Sequence, residues 1–242
     1  MNQRDAVIQT MQENGGYATL GYLYGNVLKV PNAVWNTKTP FASMRRIVQD
    51  PEYFFKIRPG LWALKGWEKK IPFEILAEGR TSTKTTEEFD HTYYQGLLVE
   101  IGNLKKFQTY VPSQDKNRKF LARPLGNVAT IQKIFPFTFP KTVERAQTID
   151  VTWFNERNMP NTFFEVEHST DIQNSLGKFV DLQDFNAHFR IVADKARLHE
   201  YQAKIARALF QSINGRVKFM SYDYVSELHT KTFEIAVLES QI

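Results

Sequence analysis

Two strand-like runs in the second half of the chain carry acids where side chains of such strands are normally buried. Ile149-Asp-Val-Thr-Trp-Phe154 is β-branched and aromatic, the turn Arg157-Asn-Met-Pro-Asn161 follows, and Thr162-Phe-Phe-Glu-Val-Glu167 is a second strand. Strand alternation puts Glu165 and Glu167 on one face. If the two strands pair as neighbours, Asp150 approaches them. Apolar residues flank each acid: Ile149 and Val151, Phe163, Phe164 and Val166. Carboxylates in such a setting are costly unless paired or metal-bound. Three together repel one another and raise their pKa values unless a cation is present. A hard divalent cation such as Mg²⁺ suits an all-oxygen donor set. The competing arrangement pairs these acids with Lys or Arg, or exposes them on an edge strand. Clustering in an apolar frame favours a site. His168 follows Glu167 and points to the opposite face, where a structural role is expected.

The chain has 242 residues, enough for one or two domains with a hydrophobic core. It contains no cysteine, which excludes disulfide scaffolds, Cys-ligated zinc, thiol nucleophiles and iron–sulfur clusters. No apolar run approaches the roughly 20 residues of a membrane span, and no apolar signal region follows the polar start Met1 to Asp5. A soluble, intracellular protein is expected. The net charge of +5 is concentrated: residues 1–70 hold 10 Lys/Arg against 5 Asp/Glu, and residues 71–242 hold 21 of each. A basic segment joined to a neutral one suggests a polyanionic partner, nucleic acid first.

The polar stretch Arg80-Thr-Ser-Thr-Lys-Thr-Thr-Glu-Glu88 has no apolar residue and reads as a linker or exposed loop. The expected organisation is a first domain over 1–70, a linker over 71–87 and a second domain over 88–242. The first domain reads as a helix from Asp5 to Glu13 stopped by Asn14-Gly15-Gly16, an extended Tyr17-Ala-Thr-Leu20, and a second helix from Gly21 to Val27. A third helix runs from Thr39-Pro40 to Gln49, with Thr39 as N-cap. A hairpin of Tyr53 to Ile57 and Leu61 to Leu64 closes the domain. Three helices closed by a hairpin is the winged helix-turn-helix plan, whose third helix enters the major groove of DNA. Here that helix buries Phe41, Met44 and Val48 and offers Ser43, Arg45, Arg46 and Gln49. Arg can read guanine and Gln adenine. Lys56 and Arg58 on the hairpin can meet phosphates, and Tyr53, Phe54, Phe55 and Trp62 read as core. The segments Gly15-Gly-Tyr-Ala-Thr-Leu20, Lys38-Thr-Pro-Phe-Ala-Ser-Met-Arg-Arg-Ile-Val-Gln49 and Phe54-Phe-Lys-Ile-Arg-Pro-Gly-Leu-Trp-Ala-Leu64 resemble the HARE-type winged helix, which implies DNA binding.

The second domain reads as a helix from Tyr93 to Leu104, a strand over Phe107 to Val111, and an irregular stretch 112–147 bearing Lys116, Arg118, Lys119 and Arg123. After the two acid-bearing strands come a helix from Asp171 to Phe185, a strand from Phe189 to Ala193, a long helix from Lys195 to Ile213 and a strand from Arg216 to Met220. Strands mixed with long helices argue an α/β (α+β) domain. Asp150, then Glu165-Val-Glu167, within an αβββαβ order, resembles the PD-(D/E)XK core of restriction-endonuclease-like nucleases. The resemblance implies Asp150 and Glu165 as Mg²⁺ ligands, with Mn²⁺ substituting, and the Val166 carbonyl as a further ligand. It implies Glu100 as an auxiliary acid. The sequence departs from the pattern at Ile149, which stands in place of Pro, and at Glu167, which stands in place of Lys. Glu167 is open as base, second ligand or relic. Lys178 in the next helix reads first as a surface lysine, with a migrated catalytic cation as the alternative.

Taken together, the resemblances imply Mg²⁺-dependent hydrolysis of double-stranded DNA at a specific sequence, modified or unmodified, by a cytoplasmic protein of a prokaryotic cell. The winged helix would bring the DNA and the basic 116–123 stretch would hold phosphates near the cut. Catalysis falls to Asp150, Glu165 and Glu167. A homodimer is implied if both strands of a palindrome are cut. The rival is a DNA-binding protein or regulator whose nuclease-like domain is inactive.

Overall fold

The computed structural model describes residues 1–76 and 84–240. It divides into two compact units, Met1–Thr86 with Ser226–Ile242, and Glu87–Val225. Residues 77–83, part of the expected linker, lie outside the described residues; from Lys84 onward the chain is helical. Among the described residues no helix is long and apolar enough to cross a membrane.

In the first unit α1 (Gln3–Glu13) opens where the Asn2 side chain accepts the Asp5 N–H at 2.9 Å. It buries Ala6, Val7 and Met11. Its stop is local chemistry: Gly15 and Gly16 take φ of 85° and 93°, which side-chain-bearing residues rarely adopt. A Cβ on Gly16 would also lie 2.8 Å from the Trp67 ring. Next come β1 (Tyr17–Thr19) and α2 (Leu20–Asn26), which Thr19 caps by accepting the Tyr22 N–H at 3.1 Å. Then α3 (Pro40–Ile47) buries Phe41 and Met44, with Val48 just beyond its end. Thr39 does not cap α3 with its side chain; instead its carbonyl accepts the Ser43 N–H at 3.1 Å and the Ser43 hydroxyl at 3.4 Å. The hairpin of β2 (Phe54–Arg58) and β3 (Leu61–Leu64) continues to β1, giving an antiparallel sheet in the order β1-β3-β2. The short α4 (Phe73–Leu76) follows.

The second unit holds α5 (Lys84–Leu104), β4 (Gln108–Tyr110), the small hairpin of β5 (Lys119–Phe120) and β6 (Arg123–Pro124), α6 (Leu125–Val128) and α7 (Pro140–Ala146). It continues with β7 (Val151–Phe154), β8 (Pro160–Glu167), α8 (Ile172–Asp181), β9 (His188–Ala193), α9 (Leu198–Ile205) and β10 (Val217–Ser221). The five-stranded sheet runs β10-β9-β8-β7-β4. β4 and β8 lie antiparallel to β7, while β9 is parallel to both β8 and β10. This is a mixed sheet with helices, an α+β arrangement. Phe163 of β8 and Phe189 and Ile191 of β9 pack with Ile172, Leu176 and Phe179 of α8 in one buried cluster.

Several elements differ from expectation, among them α5, which begins at Lys84 rather than Tyr93. The stretch 112–147 is not wholly irregular but contains β5, β6, α6 and α7. The long helix expected over 195–213 is broken: Arg207 is extended, at ψ 145°. The break lets Phe210 and Ile213 enter the core that Tyr201 and Ile205 already reach from α9. Finally, α10 (Tyr222–Glu239), to which the sequence reading assigned no element, follows β10, and residues from Ser226 onward group with the first unit.

Two packing details give measurable consequences. A Cβ on Gly96 of α5 would lie 2.1 Å from the ring of the buried Phe120. Gly96→Ala is therefore expected to lower stability by about 1–3 kcal/mol. Helix propensity alone would change it by about 1 kcal/mol in the other direction. A urea midpoint that rises instead would contradict this packing.

In the first unit, Arg45 of α3 donates to Glu234 of α10 and to the Tyr24 hydroxyl, each at 2.9 Å. Partial burial works against ionising Glu234, but the Arg45 bond and charge outweigh it and hold the carboxyl below its usual range. A carboxyl with a lowered folded pKa stabilises above its unfolded value and loses that contribution as pH falls through the folded one. Arg45→Ala is expected to cost up to about 1 kcal/mol at pH 7. The difference should vanish in urea melts at a pH below the folded value.

Candidate active site

β8 and α8 bring the acids and their partners together. The face of β8 that carries Phe163 also carries Glu165 and Glu167, and α8 covers it with Ile172, Leu176 and Phe179. α8 starts at Asp171, whose side chain accepts the Gln173 N–H at 2.8 Å. From α8, Ser175 and Lys178 reach the acids. Lys178 Nζ donates to Glu165 Oε1 at 2.9 Å and Oε2 at 2.8 Å, and to the Thr148 carbonyl at 2.9 Å. The lysine is thus not a freely solvated one. Ser175 Oγ lies 2.8 Å from Glu165 Oε2 and also bonds Glu167 Oε1. The Thr170 hydroxyl donates to Glu167 Oε2. Both glutamates are buried, Glu165 at 2% and Glu167 at 4% exposure.

A serine hydroxyl has one proton to donate. With two carboxyl groups on Ser175 Oγ, one of the two bonds needs a proton from a carboxyl. The electrostatics agree. Burial, then the charge of Asp150, pushes Glu165 up to about 8, against the lowering pull of Lys178 and Ser175. Burial and a neighbouring like charge both disfavour the carboxylate form.

Asp150 lies immediately before β7. Its Oδ2 accepts the Val166 N–H of β8 at 2.7 Å, so the expected neighbouring of the two strands holds Asp150 to Glu165-Val-Glu167. Its Oδ1 is 3.5 Å from His91 Nε2 on α5. Gln95, one turn along α5 from His91, donates through Nε2 to Asp115 Oδ2 at 2.9 Å and to the Asp150 carbonyl at 3.2 Å. Arg118 Nε is 3.2 Å from Asp115 Oδ1. One ligand atom each of His91, Asp115 and Asp150 lie within 4.8 Å of one another. Burial works against a charged His91, but Asp150 and Asp115 outweigh it and hold its pKa above the ordinary value.

The other residues singled out from the sequence are distributed as follows. Glu100 accepts from Arg123 Nη2 at 2.7 Å. Lys116 donates to the Gln132 carbonyl, and Lys119 is exposed on β5. In the first unit Arg46, Gln49 and Lys56 are exposed and Ser43 is half-buried. Arg58 is buried and donates to the Ile75 carbonyl at 2.5 Å. The His168 ring nitrogen Nδ1 is 3.5 Å from the Tyr222 hydroxyl, which also donates to the Glu167 carbonyl at 3.2 Å.

The donors present suit a hard divalent cation. Asp150 and Glu165 offer carboxylate oxygens, and their repulsion is what a cation relieves. Sequence reasoning missed His91, Asp115, Ser175 and Thr170. His91 lay outside the expected helix, which began at Tyr93. Asp115 sat in a stretch read as irregular, and its one signal was a lone acid before the basic run Lys116 to Lys119.

Comparison with known proteins adds the family. Residues 72–241, more than two thirds of the chain, match the family described as type II restriction enzyme NmeDI C-terminal domain. The type II restriction enzyme NmeDI of Neisseria meningitidis serogroup C is 24% identical over 150 residues, covering 58% of this chain and 42% of that protein. The chain thus spans about two-fifths of the curated relative it matches. No solved structure matches it. The match over residues 72–241 includes every acid of the site, and the chain belongs to the family of the type II restriction enzyme NmeDI C-terminal domain.

Proposed function

We propose that this chain is a divalent-metal-dependent endonuclease of the type II restriction kind, acting on double-stranded DNA through a PD-(D/E)XK-like site. The observation that carries the reading is Lys178 Nζ on both oxygens of Glu165, next to Asp150 held on the Val166 N–H. The motif lysine is missing at position 167, and an ammonium group from α8 stands at the same acid.

Asp150 and Glu165 would hold Mg²⁺ or Mn²⁺, with the Val166 carbonyl as a further ligand. When bound, the ion supplies Lewis acidity at the phosphate and lowers the pKa of a water. With the ion taking an oxygen of Glu165, a Lys178 N–H would be freed to hold the attacking water, and the ammonium charge would balance what builds on the phosphoryl oxygens. Glu167, with its oxygens on the Ser175 and Thr170 hydroxyls, accepts the proton the water loses. Thr148 keeps Lys178 in place through its carbonyl.

The first unit would carry the DNA as a winged helix. α3 offers the exposed Arg46, and the turn after it the exposed Gln49, to base edges, with Ser43 on the same helix, and Lys56 of β2 meets phosphate. Arg45 and Arg58, bonded within the unit, shape that surface. Lys116, Arg118 and Lys119 would hold phosphates near the cut. A homodimer matches a palindromic site.

Incubation of the purified protein with plasmid and phage DNA, methylated and unmethylated, tests the reading. Cleavage with Mg²⁺ that EDTA abolishes is the expected result, and a difference between the two DNAs would show that modification is read. DNA that stays intact yet shifts on a gel would replace hydrolysis with binding alone.

A further inference from the structure

Beside the proposed catalytic glutamates, three side chains that the mechanism does not use gather around Asp150, which it does use. His91 and Gln95 project from α5, Asp115 comes from the loop before β5, and Asp150 precedes β7. We propose that His91, Asp115 and Asp150 form a binding site for a divalent transition-metal cation.

The geometry fits. Metal–nitrogen and metal–oxygen bonds of about 2.0–2.2 Å place two neighbouring tetrahedral ligands about 3.4 Å apart. His91 Nε2 and Asp150 Oδ1 are 3.5 Å apart, and the Asp115 oxygen completes a triangle with no side above 4.8 Å. Asp150 Oδ2 is fixed by the Val166 N–H, which leaves Oδ1 to the His91 side. Asp115 and Asp150 are buried, at 3% and 9% exposure, so the charges are not dispersed in water.

A second observation points to a ligand. Gln95 is fully buried, and among the described residues its Oε1 has no hydrogen-bond partner. Its Nε2 donates to Asp115 Oδ2 and to the Asp150 carbonyl, which fixes the amide beside both aspartates. Turning the amide over would set Oε1 against the Asp115 carboxylate, so the orphan oxygen stays. A buried acceptor left unsatisfied has lost its water and gained nothing in return. A cation, or a water on that cation, is the partner such an acceptor lacks.

The donor set selects the ion. One imidazole with two carboxylates favours a first-row transition cation such as Mn²⁺ or Zn²⁺ over Mg²⁺, which prefers oxygen and water alone. Arg118 Nε, 3.2 Å from Asp115 Oδ1, belongs to a side chain that is 38% exposed, and a cation on Asp115 would compete with it. The site shares Asp150 with the nuclease reading and rests on that reading only for what the ion does to DNA.

The test is pulsed electron paramagnetic resonance of Mn²⁺ added to the whole protein in the absence of DNA. A nitrogen modulation from a bound imidazole is expected in the unaltered chain, and it should disappear in His91→Ala. Asp115→Asn should weaken Mn²⁺ binding at least tenfold, with circular dichroism confirming the fold of both variants. The wild-type spectrum keeps the result decisive even if a variant fails to fold. Bound Mn²⁺ without nitrogen modulation, modulation that survives in His91→Ala, or no Mn²⁺ binding at millimolar metal would each overturn the site. A parallel cleavage assay keeps the two readings apart. Cleavage without a nitrogen-bound ion sinks this inference alone. A nitrogen-bound ion without cleavage in any metal sinks the nuclease reading alone.

Discussion

Glu165→Gln is expected to reduce Mg²⁺-dependent DNA cleavage by about a thousandfold or more, the scale of losing a positioned acid–base group or metal ligand. The substitution is nearly isosteric. It keeps hydrogen-bonding groups for Ser175 and Lys178 and removes the carboxylate that would hold a cation. DNA binding should change little, because the proposed groove and phosphate contacts lie on α3, β2 and the 116–119 stretch. Single-turnover cleavage and gel-shift measurements on one duplex separate the two effects. Burial and Asp150 push Glu165 up to about 8, toward the neutral form that Gln resembles. The variant should therefore melt near the parent, and a lost activity could not be blamed on a lost fold. Unreduced cleavage would remove Glu165 from the mechanism.

Lys178→Met is expected to cost about a hundredfold to a thousandfold in the cleavage step, as for the loss of one preorganised charge at a reacting centre. Lys178 reaches both Glu165 oxygens, so the two residues act as a unit, and effects within a unit are not additive. The double variant Glu165→Gln with Lys178→Met should lose hardly more than Glu165→Gln alone. A surface lysine would give a small loss that simply multiplies with the glutamate's. The double-mutant cycle distinguishes these.

The parts of this site that were legible in the sequence depend on local periodicity. Glu165 and Glu167 are two apart in a strand, and a period of 2 puts them on one face whatever covers it. Asp150 could be tied to them because only a short turn separates the strands. Lys178 was visible as a nearby cation, but its contact with Glu165 depends on how α8 rotates on β8. Ile172, Leu176 and Phe179 set that rotation through tertiary packing. His91 and Asp115 meet Asp150 across long sequence separations, which no local pattern encodes.

The fold shows the same division. The order of helices and strands in the second unit could be read from patterns of period 2 and 3.6. The break at Arg207 could not, because Lys195 to Ile213 has helical propensity throughout and yields only to the burial of Phe210 and Ile213. In the first unit, the apolar stripe Phe41, Met44 and Val48 predicted the buried face of α3. It did not show that Arg45, on the polar side, is taken up by Glu234 from the far end of the sequence.

The central claim is that these buried acids cut DNA. The most direct measurement is mapping of fragment ends after incubation of defined duplex DNA with the protein and Mg²⁺, beside an EDTA control. The account predicts fragments with fixed ends at one recurring sequence, absent in EDTA. Duplexes that remain whole in Mg²⁺ and Mn²⁺ alike would contradict it.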